Sequence, residues 1–250
     1  MRRGVLLEPW RCPRRNQAGR PNPVVALVGN PNTGKSTVFN ALTGLKQHTG
    51  NWPGKTVALA VGVYRHAGKE ITLVDLPGVY SLSPLSPEER VARDFLCFGR
   101  PEVTVVVVDA TCLERHLHLV LQVLEMTPKA IVCVNLVDEA KKKGILVDAE
   151  RLGRLLGVPA VPTAARRGDG LGELKEAIAG VVDGRIPTAP VRIEYPPPIE
   201  EAVASLSSAL APLLEEGRDA RWVALRLLEG DEAVLKGCRS ERLPGRRVNG

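Results

Sequence analysis

The chain alternates short apolar runs with longer stretches whose apolar positions recur at helical spacing. The runs are strand-sized: Val24–Val28, Val57–Tyr64, Ile71–Val74, Val103–Val108, Ala130–Val134 and Val158–Val161. Val57–Tyr64 and Ile71–Val74 flank an Ala67-Gly68-Lys69 turn and read as a hairpin. Ser36–Leu42 reads as a helix ending near Gly44, and residues 45–56 read as a loop. Ser86-Pro87-Glu88-Glu89 is a capping box with Pro at the first helical position, which predicts a helix reaching Phe98. Leu113, Leu117, Val120, Leu121 and Leu124 share one helical face, and further helices are predicted near Asp148–Leu156 and over Gly170–Val182. Runs alternating with amphipathic helices predict an α/β fold, a mostly parallel sheet with helices on both faces. After Ile186-Pro187-Thr188-Ala189-Pro190 the character changes. Ile199, Val203, Leu206, Leu210 and Leu213 form a helical stripe, a second helix is predicted over Asp219–Glu229, and Asp231 is placed to cap a third. This small α-helical appendage is too short to hold a core alone, so it should lean on the first domain or on further chain.

Candidate chemistry clusters where the predicted strands end, which is where such sheets bind ligands. Gly29-Asn30-Pro31-Asn32-Thr33-Gly34-Lys35-Ser36 reads G-x-x-x-x-G-K-S, lies between a strand and a helix, and is followed by Thr37. That context is what a phosphate-binding loop requires, because glycines and a helix N-terminus turn backbone N–H groups toward dense negative charge. Lys35 would reach the β- and γ-phosphates, and Ser36 would ligate Mg²⁺. Asp75-Leu76-Pro77-Gly78 closes a later strand. Asp75 can hold Mg²⁺ through water, and the Gly78 N–H can bond the γ-phosphate. Asn135-Leu136-Val137-Asp138 closes another strand. The Asp138 carboxylate can accept two hydrogen bonds from guanine, a donor pair that adenine lacks, while Asn135 ties the base loop to the phosphate loop. Thr163-Ala164-Ala165 can offer a backbone N–H to the guanine oxygen. Thr56, flanked by Gly54, Lys55 and Val57, is the candidate second Mg²⁺ ligand beside Ser36, although other threonines such as Thr49 lie nearby. The expected ligands are GTP or GDP with Mg²⁺.

Composition changes this picture little. With 44% apolar and 25% charged residues the 250-residue chain has the make-up of a globular protein. No window offers the roughly 18 consecutive apolar residues of a membrane span. The net charge of +6 is unevenly placed. Residues 1–20 carry six Arg against one Glu, and residues 236–250 carry five Lys or Arg against one Glu, which leaves −3 for the body. Basic ends of this kind can touch nucleic acid or anionic lipid, but more commonly they are solvated. Five cysteines without a C-x-x-C pair argue against zinc or a disulfide framework and fit a reducing compartment. The start does not read as a signal peptide, since Val5-Leu6-Leu7 is too short an apolar core. The organisation expected is a disordered basic leader (1–22), a nucleotide domain (23–185), a helical domain (195–238) and a basic tail (239–250).

Several stretches resemble one family. Gly29-Asn30-Pro31-Asn32, Gly50-Asn51-Trp52-Pro53-Gly54, Asp75-Leu76-Pro77-Gly78-Val79-Tyr80-Ser81-Leu82, Asp109-Ala110-Thr111 with Leu113-Glu114-Arg115, and Asn135-Leu136-Val137-Asp138-Glu139-Ala140 look like the cytosolic G domain of the ferrous iron transporter FeoB. Tyr195-Pro196-Pro197-Pro198-Ile199-Glu200 and Arg221-Trp222-Val223-Ala224-Leu225 resemble its helical domain. The resemblance implies a P-loop GTPase fold followed by a helical domain that modulates nucleotide release. It implies that Thr56 is the switch threonine, that Leu136 is tolerated where many GTPases carry Lys, and that Asn32 accompanies activation by K⁺. It further implies slow GTP hydrolysis that regulates ferrous iron transport, at the cytoplasmic face of the bacterial membrane. The implied partners are a FeoB-type transmembrane domain and other small Feo proteins. An oligomer is compatible and no nucleic acid is expected. No such membrane domain is read in these residues, so the chain is expected to be a soluble piece or a truncated product.

Lys55 and Ala58 depart from the family pattern, and His116 and His118 are expected to be surface or packed helical residues. Val79 stands where Ras-type GTPases carry a water-orienting Gln, and no general base is evident. The competing readings are a free-standing GTPase of ribosome or RNA biology and a nucleotide-binding regulator without useful hydrolysis.

Overall fold

The structure is a computed structural model that describes residues 22–44, 47–51, 58–83, 85–214 and 219–231. Its contacts divide it into two compact units at Arg192/Ile193. The first unit is built on a seven-stranded sheet: β1 (Val24–Gly29), β2 (Gln47–Asn51), β3 (Ala58–His66), β4 (Lys69–Asp75), β5 (Val103–Asp109), β6 (Ala130–Asn135) and β7 (Ala160–Pro162). The spatial order is β2-β3-β4-β1-β5-β6-β7. From β4 to β7 all neighbours are parallel, while β2–β3 and β3–β4 are antiparallel.

The helices are α1 (Lys35–Thr43), α2 (Pro87–Phe98), α3 (Leu113–Met126), α4 (Val137–Lys142), α5 (Ala149–Leu156) and α6 (Leu171–Val182). The near-continuous apolar runs are explained by burial on both faces. Successive residues of β1 enter opposite cores. Val24, Ala26 and Val28 pack with Val91 and Phe95 of α2 and with Leu119, Val120 and Val123 of α3. Val25 and Leu27 pack with Val38 and Phe39 of α1 and with Leu174 and Ile178 of α6. Both faces are thus covered, and each fully buried aliphatic side chain contributes ~1.5–3 kcal/mol. The capping box predicted at Ser86 is present: the Ser86 hydroxyl accepts from Glu89 N–H (3.1 Å) and the Glu89 carboxylate accepts from Ser86 N–H (3.2 Å).

Three local readings are corrected. Within the stretch read as a loop, Gln47–Asn51 pairs antiparallel with β3 as an edge strand. It has no apolar alternation, so only pairing with the sheet edge defines it. The helix α4 gave no periodic signal because it spans six residues. Its first-turn acids Asp138 and Glu139 and last-turn Lys141 and Lys142 complement the helix dipole. The last strand covers Ala160–Pro162 rather than Val158–Val161, because its register is set by pairing Val132–Val134 of β6.

The second unit contains α7 (Pro197–Leu210), a 3₁₀ turn (Ala211–Leu213) and α8 (Ala220–Leu228). The predicted stripe continues past Leu210 as the tighter turn, since Pro212 cannot extend an α-helix. Val203, Ala224 and Leu225 form a small core with Tyr195, Leu206 and Leu210 against it. The helix expected after Asp231 lies outside the described residues.

A half-exposed ion pair organises this unit. Arg221 donates to both Glu200 carboxylate oxygens (2.6 and 2.7 Å) and to the Ile193 carbonyl (3.0 Å), and Glu200 also accepts from Tyr195 N–H (3.0 Å). The Arg221 hydrogen bonds, followed by that from Tyr195, lower the Glu200 pKa to about 2. A depressed carboxylate pKa stabilises the fold above the unfolded value and loses that contribution as pH falls through the folded one. Acid titration of the helical signal should therefore show a loss between about pH 4.5 and 2, and Arg221→Gln should remove that pH dependence. An unchanged titration in the variant would show that the pair contributes nothing.

Candidate functional site

The parallel strands aim their carboxyl ends at one crevice, where β1, β4, β6 and β7 each deliver a loop. The phosphate loop leaves β1 at Gly29. A Cβ on Gly29 would sit 2.4 Å from the Val107 carbonyl oxygen, so no other residue fits there. At the other end Gly34 has φ 77°, and a Cβ there would sit 2.4 Å from Asn135 Nδ2. This position needs both the left-handed backbone and the missing side chain. Asn32 is also left-handed (φ 67°), a conformation that Asn tolerates. The Thr33 hydroxyl donates to the Asn30 carbonyl (3.0 Å) and closes the loop on itself. Pro31 lies against Gly78, where a Cβ would meet the Pro31 backbone at 3.3 Å.

Lys35 begins α1 and is only 8% exposed. Its ammonium donates to the Asp75 carboxylate and to the Leu76 carbonyl. Ser36 hydrogen-bonds the same carboxylate, and its side chain and that of Thr37 are otherwise exposed. Burial pushes the Asp75 carboxyl above the usual carboxylate range, while Lys35 and Ser36 pull it back. The loop after Asp75 is fixed by the Leu76 N–H to the Leu27 carbonyl (2.9 Å) and the Val79 N–H to the Gly29 carbonyl (3.1 Å). Val79 is 2% exposed and belongs to the core, so its side chain takes no part in the crevice.

The base side is held by one amide. Asn135 Nδ2 donates to the Thr33 carbonyl of the phosphate loop (2.9 Å). Its Oδ1 accepts from Thr163 Oγ1 (3.1 Å) and from Ala165 N–H (3.1 Å). The expected tie between the two loops is thus present, and Thr163 proves to be a partner of Asn135. The neighbouring Leu136 is left-handed (φ 64°), which turns the chain into α4. Asp138 stands half-buried in the first turn of α4. Val137 N–H bonds the Thr163 carbonyl (3.2 Å), joining the two base-side loops again. Ala164 and Ala165 are buried.

Gly54, Lys55, Thr56 and Val57 lie outside the described residues, as do Trp52 and Pro53. The side chains of residues 47–51 and of Ala58 lie outside them too. Contacts among the other expected residues join Lys35, Ser36, Asp75 and Leu76 on the phosphate side, and Thr33, Asn135, Thr163 and Ala165 on the base side. His116 is packed as expected, and His118 is exposed. His116 Nδ1 accepts from Asp109 N–H (3.0 Å), so its Nε2 carries the proton and faces Cys112 Sγ at 3.8 Å. Burial holds the His116 pKa down. A protonated Nε2 is not a metal ligand, and no group of three or more His, Cys, Asp or Glu among the described residues could hold a metal ion.

The donor set fits a nucleotide with a hard divalent cation. Ser36 and Asp75 offer the hydroxyl and carboxylate oxygens such ions select. Lys35 heads a loop whose glycines exclude side chains, and the Asn30 side-chain oxygen is buried without a partner. A mostly parallel, doubly covered sheet with a G-x-x-x-x-G-K-S loop at its first strand, joined to an N-x-x-D loop at the end of β6, has the form of the P-loop GTPase fold.

Within that class the sequence is matched by two family models. The model for ferrous iron transport protein B covers residues 23–178, and that for the FeoB cytosolic helical domain covers residues 195–246. The chain belongs to the ferrous iron transport protein B (FeoB) family. It is 43% identical over 214 residues to an Fe(2+) transport protein A/Fe(2+) transporter FeoB fusion protein of Porphyromonas gingivalis, covering 84% of this chain and 25% of that protein. It is 38% identical over 215 residues to the Fe(2+) transporter FeoB of Escherichia coli, covering 83% and 27%. The chain thus spans about a quarter of the length of these relatives. The cytosolic domain of Thermotoga maritima FeoB has been solved in apo form, with a TM-score of 0.79, 38% identity, and coverage of 89% of this chain and 87% of that one. Its GMPPNP form gives 0.78 and 37% over the same shares. No helix among the described residues is long and apolar enough to cross a membrane.

Replacing Asn135 by Ala would orphan the Thr33 carbonyl and the Ala165 N–H and leave the Thr163 hydroxyl only Cys133 Sγ at 3.2 Å. A loss of about 3 kcal/mol is expected, read as a melting temperature lower by roughly 6–12 °C. Asn135→Asp keeps the two acceptor contacts but sets a buried carboxylate oxygen against the Thr33 carbonyl, so it too should melt below wild type. Equal melting of all three proteins would show that the amide does not join the loops.

Proposed function

We propose that this chain binds GTP and GDP, hydrolyses GTP slowly, and through that cycle regulates ferrous iron transport across the bacterial membrane. The observation that carries the reading is the Asn135 bridge from Thr33 to Ala165, which ties the segment that leads into Asp138 to the phosphate loop. Relatives solved with GDP and with GMPPNP support the choice of nucleotide. The link to iron rests on the family, whose members are named as Fe(2+) transporters.

In this reading the phosphates take over the Lys35 ammonium from Asp75 and the Leu76 carbonyl. Backbone N–H groups of Asn30 and of Asn32 to Thr37 line the phosphates, Pro31 having none to offer, and helix α1 adds its positive end. Ser36, Thr56 and Asp75 would hold Mg²⁺, which offsets the charge of the β- and γ-phosphates. Asp138 accepts from the guanine N1–H and amine, and the backbone around Ala164 and Ala165 meets the guanine oxygen. Gly78 donates its N–H to the γ-phosphate, so the Asp75–Gly78 loop senses hydrolysis. Because Val79 is buried in the core, its side chain does not orient the attacking water, which is held by backbone groups and the charge of Lys35 and the cations, and turnover is slow. Asn32, exposed and left-handed at the loop's outer edge, would hold K⁺ where an arginine finger would otherwise bring charge.

Turnover with Mg²⁺ in KCl and in NaCl tests this account. GTP hydrolysis is expected in both salts and about tenfold or more faster in K⁺, with Asn32→Ala reduced to the Na⁺ rate. Equal rates in the two salts would discard the cation role of Asn32. No turnover at all, with guanine nucleotide still bound, would leave a binding switch and no enzyme.

A further inference from the structure

We propose that a groove between α3 and α5 is a docking surface for a partner's amphipathic helix, apolar on one face and rich in carboxylates on the other. The cavity measures about 620 Å³. Leu113 and Leu117 of α3, Leu152 and Leu155 of α5, and Ile145 and Leu146 of the connecting loop line it. Leu155 is 66% exposed and Leu146 is 90% exposed. Isolated exposed leucines need no explanation, but several lining one concavity form the kind of patch that marks an interaction site. None of these residues belongs to the nucleotide crevice. A concave apolar trough suits a helix that inserts anchors at i, i+3, i+4 and i+7 spacing.

The charge around the groove selects the partner. Arg115 and Arg151 line it, and exposed Lys141, Lys142 and Lys143 run directly into its Ile145-Leu146 segment. The acids close by are largely engaged. Asp148 accepts from Arg151 N–H (2.8 Å) to cap α5, and Glu150 pairs with Arg154. The lining itself carries two arginines against two acids, Glu114 and Asp148, and the three exposed lysines beside it make the balance cationic, so complementarity calls for carboxylates on the occupant. The same argument excludes the chain's own ends, which are strongly basic. The groove is also connected to the nucleotide loop. Arg115 lies over the ring of Tyr80, 5.6 Å from its centroid, and Tyr80 follows Gly78 by two residues. A carboxylate that draws Arg115 away releases that ring, so occupancy of the groove and the state of the Asp75–Gly78 loop are coupled.

The test uses the full chain and two fluorescent peptides of roughly 15 residues. Both carry Leu at the anchor spacing, with Glu in one and Lys in the other at the remaining positions. Fluorescence polarisation should give the Glu peptide an affinity about tenfold or more above the Lys peptide. Leu155→Asp and Arg151→Glu should each weaken it by about tenfold or more, with nucleotide affinity unchanged as the control for folding. Leucine methyl NMR shifts should fall on Leu113, Leu117, Leu152 and Leu155. Failure to bind either peptide, equal affinity for both, or indifference to Leu155→Asp overturns the proposal. So does sedimentation with phosphatidylglycerol vesicles that Leu146→Asp abolishes, if peptide selectivity is missing, because the surface would then face a membrane. Self-association abolished by Leu155→Asp without peptide selectivity would overturn it in favour of a second copy of the chain.

Discussion

One buried amide holds the nucleotide crevice together. Asn135 leaves the end of β6 and joins the phosphate loop of β1 to the loop after β7 through three hydrogen bonds. Each is an ordinary bond worth about 1 kcal/mol net, but all three partners are buried and have no water to turn to. The geometry around the amide is correspondingly tight. Gly34 must lack a side chain because Asn135 Nδ2 occupies the space a Cβ would need. The pairing therefore explains a glycine in one loop and an asparagine about a hundred residues later in another.

That amide can act because the sheet is parallel. Parallel pairing from β4 to β7 puts all the strand ends on one side, and helices on both faces bury the central strands β1, β5 and β6 almost completely. The same arrangement puts Asp75 against Lys35 and Ser36, so the residues proposed to meet phosphate and a divalent cation are partners of one another in this structure. A buried ammonium left without a partner is costly, and the pairing keeps the site folded while it waits. Under the proposed function, ligand phosphates replace one set of oxygens with another.

Much of this was legible in the sequence. G-x-x-x-x-G-K-S is readable because phosphate binding fixes both the residue types and their spacing. Asp75 and Asn135 could be located because each ends an apolar run of strand length. The edge strand over Gln47–Asn51 was hidden because a polar segment becomes a strand only through its neighbour. Helix α4 was hidden because six residues cannot display a helical period. Thr163 was expected only to neighbour the base, and its bond to Asn135 depends on a register that no local pattern encodes. The inward turn of Val79 and the outward turn of Leu155 were equally unreadable. Periodicity finds the apolar face of a helix, but not whether another element covers it.

The central claim is that the Asn135 bridge sets a carboxylate, Asp138, to read guanine above a phosphate loop. Calorimetric titration of the chain with GDP, ADP and xanthosine diphosphate in Mg²⁺ tests it most directly, alongside Asp138→Asn. The account predicts that the wild-type chain favours GDP over ADP by about 100-fold or more. It also predicts that Asp138→Asn shifts the preference to xanthosine diphosphate, whose carbonyl accepts from the new amide where guanine presents an amine. Equal affinity for GDP and ADP, or a preference untouched by Asp138→Asn, would contradict it.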